Sequence, residues 1–174
     1  MSDWYMLTVV GADRPGIVAR VTAALFEGGC NLGEASMMRL GGSFTIMLMV
    51  QCPSGEADTL RQLVAPVADS LGLRLHVDRI GGGLHRHREP DVAISVYGAD
   101  RAGIVARVTG ALAEAGLDIL ELTSDVAGSR QQPIYIMHIE GHAARGIEPL
   151  RVALAGMREE GIEVSLEPLE TLVG

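Results

Sequence analysis

A chain of 174 residues, 48% apolar but only 3% aromatic, can supply one average domain or two small ones, with cores built from Val, Leu, Ile, Ala and Met. Its formal net charge of −8 argues against a phosphate backbone as partner, because nucleic-acid binders carry a basic face. Cys30 and Cys52 form no CxxC motif and no disulfide framework. Met1-Ser2-Asp3-Trp4 lacks a basic-then-apolar leader, and Phe44–Val50 is too short to span a bilayer. A reduced, cytoplasmic chain with no membrane segment is therefore expected, its cysteines being small buried residues.

In chain order, Trp4–Val10 is an apolar run of strand length, and Gly11–Gly16 is a turn. Ile17–Glu27 carries apolar residues at helical spacing (Ile17, Val18, Val21, Ala24, Leu25), and Gly28-Gly29 stops it. Asn31–Leu40 and Ser43–Gln51 flank Gly41-Gly42, a hairpin signal. Glu56–Leu71 is amphipathic, with Leu60, Leu63, Val64, Val67 and Leu71 on one face. Leu73–Ile80 alternates as a final strand. The order is β-α-β-β-α-β.

The segment Gly81–Pro90 is polar and glycine-rich, contains the one basic cluster, and reads as a linker between domains at 1–80 and 91–174. Beyond it the pattern returns: Asp91–Tyr97, Gly103–Ala115, Asp118–Val126, Pro133–Glu140, Ile147–Glu159 and Ile162–Leu169. The repeat is close at the residue level. Gly11-Ala12-Asp13-Arg14-Pro15-Gly16-Ile17-Val18-Ala19-Arg20-Val21-Thr22 recurs at Gly98–Thr109 with Ala102 in place of Pro15. A duplicated domain follows. Each copy should be an α+β, ferredoxin-like unit, a four-stranded antiparallel sheet with both helices on one face. The strands Phe44–Val50 and Ile134–Ile139 are apolar on both sides, which predicts cover over the second face by a partner domain or subunit. The second hairpin, Gly128–Pro133, reads as longer and irregular.

The loop Gly11–Val18, followed by Gly29-Cys30-Asn31-Leu32, resembles the start of an ACT domain. Asp100–Val105 and Gly116-Leu117-Asp118-Ile119 repeat the resemblance. Two such domains in tandem with nothing else are similar to the glycine cleavage system transcriptional repressors. That resemblance implies a non-enzymatic cytoplasmic regulator that binds a small amino acid, glycine being one candidate. It also implies a homodimer acting through a protein partner without direct DNA contact. ACT dimers share ligands across their interfaces.

The chemistry of the loop agrees with such a role. The first turn of a helix has N–H groups without intrahelical partners, which attract anions. A ligand carboxylate would sit on the N–H groups of Gly16, Ile17 and Val18. Asp13 would hold its ammonium group, and Asn31 of a neighbouring domain would close the site. In the second copy Gly103 and Ile104, Asp100 and Asp118 take these parts. Gly11 and Gly98 lie at the approach to each turn. Other readings stand beside these: Asp13 and Asp100 suit helix N-caps, Asn31 and Asp118 suit a left-handed turn, and Gly11 and Gly98 suit a bend. Arg20 and Arg107 read as solvated or ion-paired. Met37, Met38, Met47 and Met49 read as core or interface packing. No catalytic constellation, metal set or cofactor motif emerges, and an interaction module with vestigial sites is the alternative function.

Overall fold

The computed structural model describes residues 3–53, 56–81, 88–99, 103–129, 132–159 and 161–169. The chain divides into two compact units, Met1–His85 and Arg86–Gly174, each taken by itself below.

The first unit runs β1 (Trp4–Ala12), α1 (Ile17–Glu27), β2 (Asn31–Leu40), β3 (Ser43–Gln51), α2 (Ala57–Leu71) and β4 (Arg74–Ile80). Its strands form one antiparallel sheet in the order β2-β3-β1-β4. Tyr5, Leu7 and Val9 alternate inward along β1, as a half-buried strand must. They meet Ile17, Val21 and Leu25 of α1 and Leu60, Val64 and Ala68 of α2 in a single apolar core. Gly28 lets the end of α1 close on α2, because a Cβ there would lie 2.5 Å from a methyl of Leu63. Arg20 of α1 donates to the Ser70 hydroxyl of α2 at 2.8 Å.

The second unit repeats this order as β5 (Val92–Ala99), α3 (Ile104–Glu114), β6 (Leu117–Ser129), β7 (Gln132–Ala143), α4 (Ile147–Glu159) and β8 (Glu163–Pro168), with sheet order β6-β7-β5-β8. Its core is separate, built on Val92, Ile94, Val96, Val108, Leu112, Met137, Ile139 and Leu150. The edge strands β2 and β6 each carry one extra residue relative to their neighbour, between Leu32 and Ala35 and between Ile119 and Glu121. The duplication thus extends to a shared β-bulge.

The second hairpin keeps its register up to its turn: the ladder continues through Gly128↔Pro133 to Ser129↔Gln132, because paired backbones do not need apolar side chains to stay in register, and Arg130 and Gln131 lie outside the described residues. Each unit's own helices cover one face of its sheet. On the other face of the first sheet Met38 and Met47 are 56% and 45% exposed while Met49 is buried, and Met37, on the same side as Arg39 and Phe44, is 51% exposed. In the second unit Ile134 and His138 are likewise exposed. A strand can be apolar on both sides while only one side meets its own helices. Finally, Cys30 and Cys52 are not free thiols but a disulfide. Sequence spacing hid this, since the pair is made by strand register: Asn31 faces Gln51, and the next step outward sets Cys30 opposite Cys52.

Close approach at Gly141 of β7 gives a first prediction. A Cβ there would lie 2.5 Å from the Asp118 carbonyl oxygen and 2.9 Å from a Leu117 methyl. Gly141→Ala forces backbone to move, and is expected to lower stability by about 1–3 kcal/mol, measurable as a fall in the urea midpoint.

Candidate functional site

The turn between β1 and α1 ends in Gly16, whose φ of 83° places it in the left-handed region that costs other residues energy. Gly16 is itself the N-cap of α1, and no side chain caps the helix. Its carbonyl accepts the first helical bond, from the Arg20 N–H at 3.0 Å. The N–H groups that follow Gly16 have no intrahelical acceptor, as in any first helical turn. The second unit is built the same way. Gly103 has φ 86° and no side-chain cap, and the Arg107 N–H donates to its carbonyl at 3.0 Å.

Asp13 therefore does not cap α1. Its backbone N–H donates to the Gly42 carbonyl at 3.0 Å, which ties the loop to the β2–β3 hairpin. Its carboxylate accepts from Arg39: Nε lies 2.7 Å from Oδ2, and Nη2 contacts the same oxygen. Nothing in the local sequence points to Arg39. The hairpin at Gly41-Gly42 folds β2 back beside the β1–α1 loop, so a residue near the end of β2 reaches Asp13.

Residues 13–19 of the loop and the first turn of α1, with Met37, Arg39 and Phe44, line a groove of about 360 Å³, within the usual range for small-molecule sites. Its floor is apolar, its rim carries the Asp13–Arg39 pair, and the uncapped start of α1 opens into it. Ile17 contributes only backbone, since its side chain is 1% exposed and belongs to the core. Val18 packs partly against that core.

The remaining candidate residues fall elsewhere. A Cβ at Gly11 would lie 2.7 Å from a Leu73 methyl, so its glycine serves packing. A Cβ at Gly98 would similarly lie 3.2 Å from a methyl of Ile104. Asn31 opens β2, eight residues before Arg39 along the strand, which at about 3.3 Å per residue is roughly 25 Å away. One unit alone does not bring Asn31 to the groove. Asp118 is likewise at the far end of its sheet, opposite His142, with Arg88 of the linker 3.5 Å away. Asp100 lies outside the described residues. Ile104 is buried, as Ile17 is.

The two units differ in the residues that line the groove: Pro15, Met37, Arg39 and Phe44 of the first correspond to Ala102, Ser124, Val126 and Tyr135 of the second. Ala35 opposite Leu48 corresponds to Leu122 opposite Ile139, which sets Val126 where the first unit has Arg39. His142, with no role suggested by the sequence, pairs with Asp91 at 2.8 Å and helps seat the start of β5. His76 pairs with Asp78 at 3.1 Å, and His138 lies 3.0 Å from the Ser95 hydroxyl. Among the described residues no three His, Cys, Asp or Glu side chains form a metal-binding group. No described helix is long and apolar enough to cross a membrane.

The ACT domain family model matches residues 5–78, and a second ACT domain model matches residues 92–146. The chain belongs to the ACT domain family. Its tandem ACT units are similar to several known proteins. UPF0237 protein YjhC of Lactococcus lactis is 35% identical over 83 residues, covering 47% of this chain and 95% of that one. The glycine cleavage system transcriptional repressor of Escherichia coli is 27% identical over 138 residues, 79% of this chain and 72% of that one. The crystal structure of a protein from Galdieria sulphuraria superposes with a TM-score of 0.77 at 24% identity, covering 97% of this chain and 99% of that chain. This last likeness concerns the fold.

Proposed function

We propose that this tandem ACT protein is a non-enzymatic regulator whose first unit binds a small amino acid in the groove between the β1–α1 loop and the β2–β3 hairpin. The observation that carries this reading is the glycine N-cap with no side chain on it, at the mouth of a groove edged by Asp13 and Arg39. The ligand carboxylate takes the first-turn N–H groups and the exposed guanidinium of Arg39. Both contacts between Arg39 and Asp13 use Oδ2, so Oδ1 is the oxygen a ligand ammonium reaches. The apolar floor admits a small side chain, and glycine or serine fits. In a homodimer Asn31 of the partner subunit closes the groove, and in the second unit Gly103, Ile104, Asp100 and Asp118 take the matching parts. Similarity to the E. coli repressor supports a cytoplasmic role in which ligand shifts an equilibrium between domain pairings and a transcriptional or metabolic partner protein reads it. Such a shift is limited to the ligand's differential affinity for the two states.

A thermal-shift series against the twenty amino acids tests this. At about a hundredfold excess over its dissociation constant, a ligand that binds only the native state stabilises it by roughly 2.7 kcal/mol. A rise with one or two small amino acids supports the reading, and no rise with any of them refutes it. Arg39→Gln is expected to weaken the responding ligand about tenfold, the equivalent of one charge-assisted hydrogen bond of roughly 1.4 kcal/mol, measured by calorimetric titration. The exposed methionine face of the first sheet favours a second reading, an interaction module that binds protein and no metabolite. That reading predicts a flat thermal-shift series.

A further inference from the structure

Cys30 and Cys52 stand one step outside the Asn31↔Gln51 end of the β2–β3 ladder, with Cα atoms 4.3 Å apart, the close spacing of directly opposed antiparallel residues. The duplicated unit supplies an internal comparison. Asn31 faces Gln51 as Asp118 faces His142, and one step outward Leu117 faces Ala143 where the first unit has Cys30 and Cys52. Leu117 and Ala143 are buried in their core. An ordinary apolar pair therefore satisfies this position, and the fold itself does not call for two sulfurs.

What the bond does follows from its place. β2 is an edge strand held on one side by β3, and its ladder is interrupted after Leu32 by the bulge. Asn31 and Leu32 are thus cut off from the rest of the strand, and the disulfide lies immediately outside them. On its other side, Cys30 closes α1, its N–H donating to the Leu25 carbonyl at 3.0 Å. The bond joins the end of α1, the start of β2 and the end of β3.

We propose that Cys30 and Cys52 form a thiol–disulfide exchange site that fixes or releases the start of β2, with low-molecular-weight thiols and disulfides as co-reactants. In the reducing direction a thiolate attacks Cys30 Sγ, since Cys30 is 8% exposed and Cys52 1%. The Sγ–Sγ bond breaks, Cys52 leaves as a thiolate and takes a proton, and Cys30 is left in a mixed disulfide. A second thiolate attacks the outer sulfur of that mixed disulfide. The small disulfide departs, and Cys30 takes a proton. Two small thiols have become one small disulfide, and the protein has gained two electrons and two protons; oxidation is the reverse. Fraying of an edge-strand end gives the entering thiol its access. The proposal does not rest on the ligand reading.

The test is a series of glutathione buffers, from reducing to oxidising, applied to the full chain. Thiols are trapped by alkylation and read by mass, melting temperature and amide hydrogen exchange. The expected result is one reversible transition between dithiol and intrachain disulfide, with peptides containing Cys30 and Cys52 joined in the oxidised form. With the cysteines 22 positions apart in sequence, oxidation should raise the first unit's melting temperature by about 10 °C or more. Exchange protection should be gained at Asn31 to Ala35. Cys30→Leu/Cys52→Ala, which installs the second unit's pair, should melt with the reduced wild type and ignore the buffer. The proposal fails if the native bond survives every thiol concentration, or if both thiols persist in oxidising buffer. It fails equally if the link forms between chains, or if the two forms melt together. The buffer series on the unaltered chain decides the question even if the double variant does not fold.

Discussion

Leu25→Ala is expected to destabilise the first unit by about 3–4 kcal/mol. Leu25 is on the inner face of α1 and has no exposure at all. The substitution removes its buried methyl groups and leaves a cavity, because neighbours anchored in β1 and α2 relax only in part. The same truncation one residue on supplies the contrast. Phe26 is larger and equally apolar but 81% exposed, so Phe26→Ala should change stability by less than about 0.5 kcal/mol. Urea unfolding distinguishes them: the midpoint falls steeply for Leu25→Ala at an unchanged slope and stays put for Phe26→Ala. Equal losses would mean that the face of α1 turned inward is not the one described. Leu112→Ala, the matching truncation in the second unit, should behave like Leu25→Ala.

Gly16→Val should remove the response to amino acids and cost the first unit about 1–2 kcal/mol. The cost arises because a β-branched residue is forced into the left-handed region. No neighbour lies within 4 Å of a Cβ added at Gly16, so the penalty is conformational and the new side chain projects into open space at the groove. A control separates strain from obstruction. Gly72 also has positive φ, 66°, with nothing within 4 Å of an added Cβ, and it caps the far end of α2. Gly72→Val should lose similar stability and keep the full thermal response to the amino acid. If both variants respond, the start of α1 is not where the ligand binds. If neither responds, the loss at Gly16 reflects destabilisation alone.

Much of the architecture could be read from local pattern. The helix at Ile17–Glu27 and the strands at Asn31–Leu40 and Ser43–Gln51 fall at the residues their periodicity predicts, because glycine pairs interrupt the chain at Gly28-Gly29 and Gly41-Gly42. The repeat then carried the topology to the second unit. What was not legible depends on register between distant segments. Arg39 meets Asp13 only because the hairpin folds at Gly41-Gly42. Cys30 meets Cys52 only because Asn31 pairs with Gln51. Asp13 looked like a helix cap because Asp commonly is one. The left-handed glycine between it and the helix takes the capping position instead. Beyond Val126 the sequence turns to small and polar residues, Ala127, Gly128 and Ser129, so the apolar alternation ends. There the backbone ladder continued where the side-chain signal had stopped.

The bulge shared by β2 and β6 also bears on how the protein behaves at high concentration. A long edge strand presents a row of unpaired N–H and C=O groups on which another chain can add a strand. Several exposed side chains on these two strands, Leu40 and Leu122 among them, are apolar and would reward such an addition. A straight, uninterrupted edge would make each unit a template for intermolecular sheet growth. One extra residue in each edge strand breaks the spacing of those groups and increases the local twist. An incoming strand therefore meets two short, misaligned ladders in place of one long one. The overall negative charge slows approach at a distance, and the bulge acts at contact on the β2 and β6 edges, while β4 and β8, the opposite edges, pair without one.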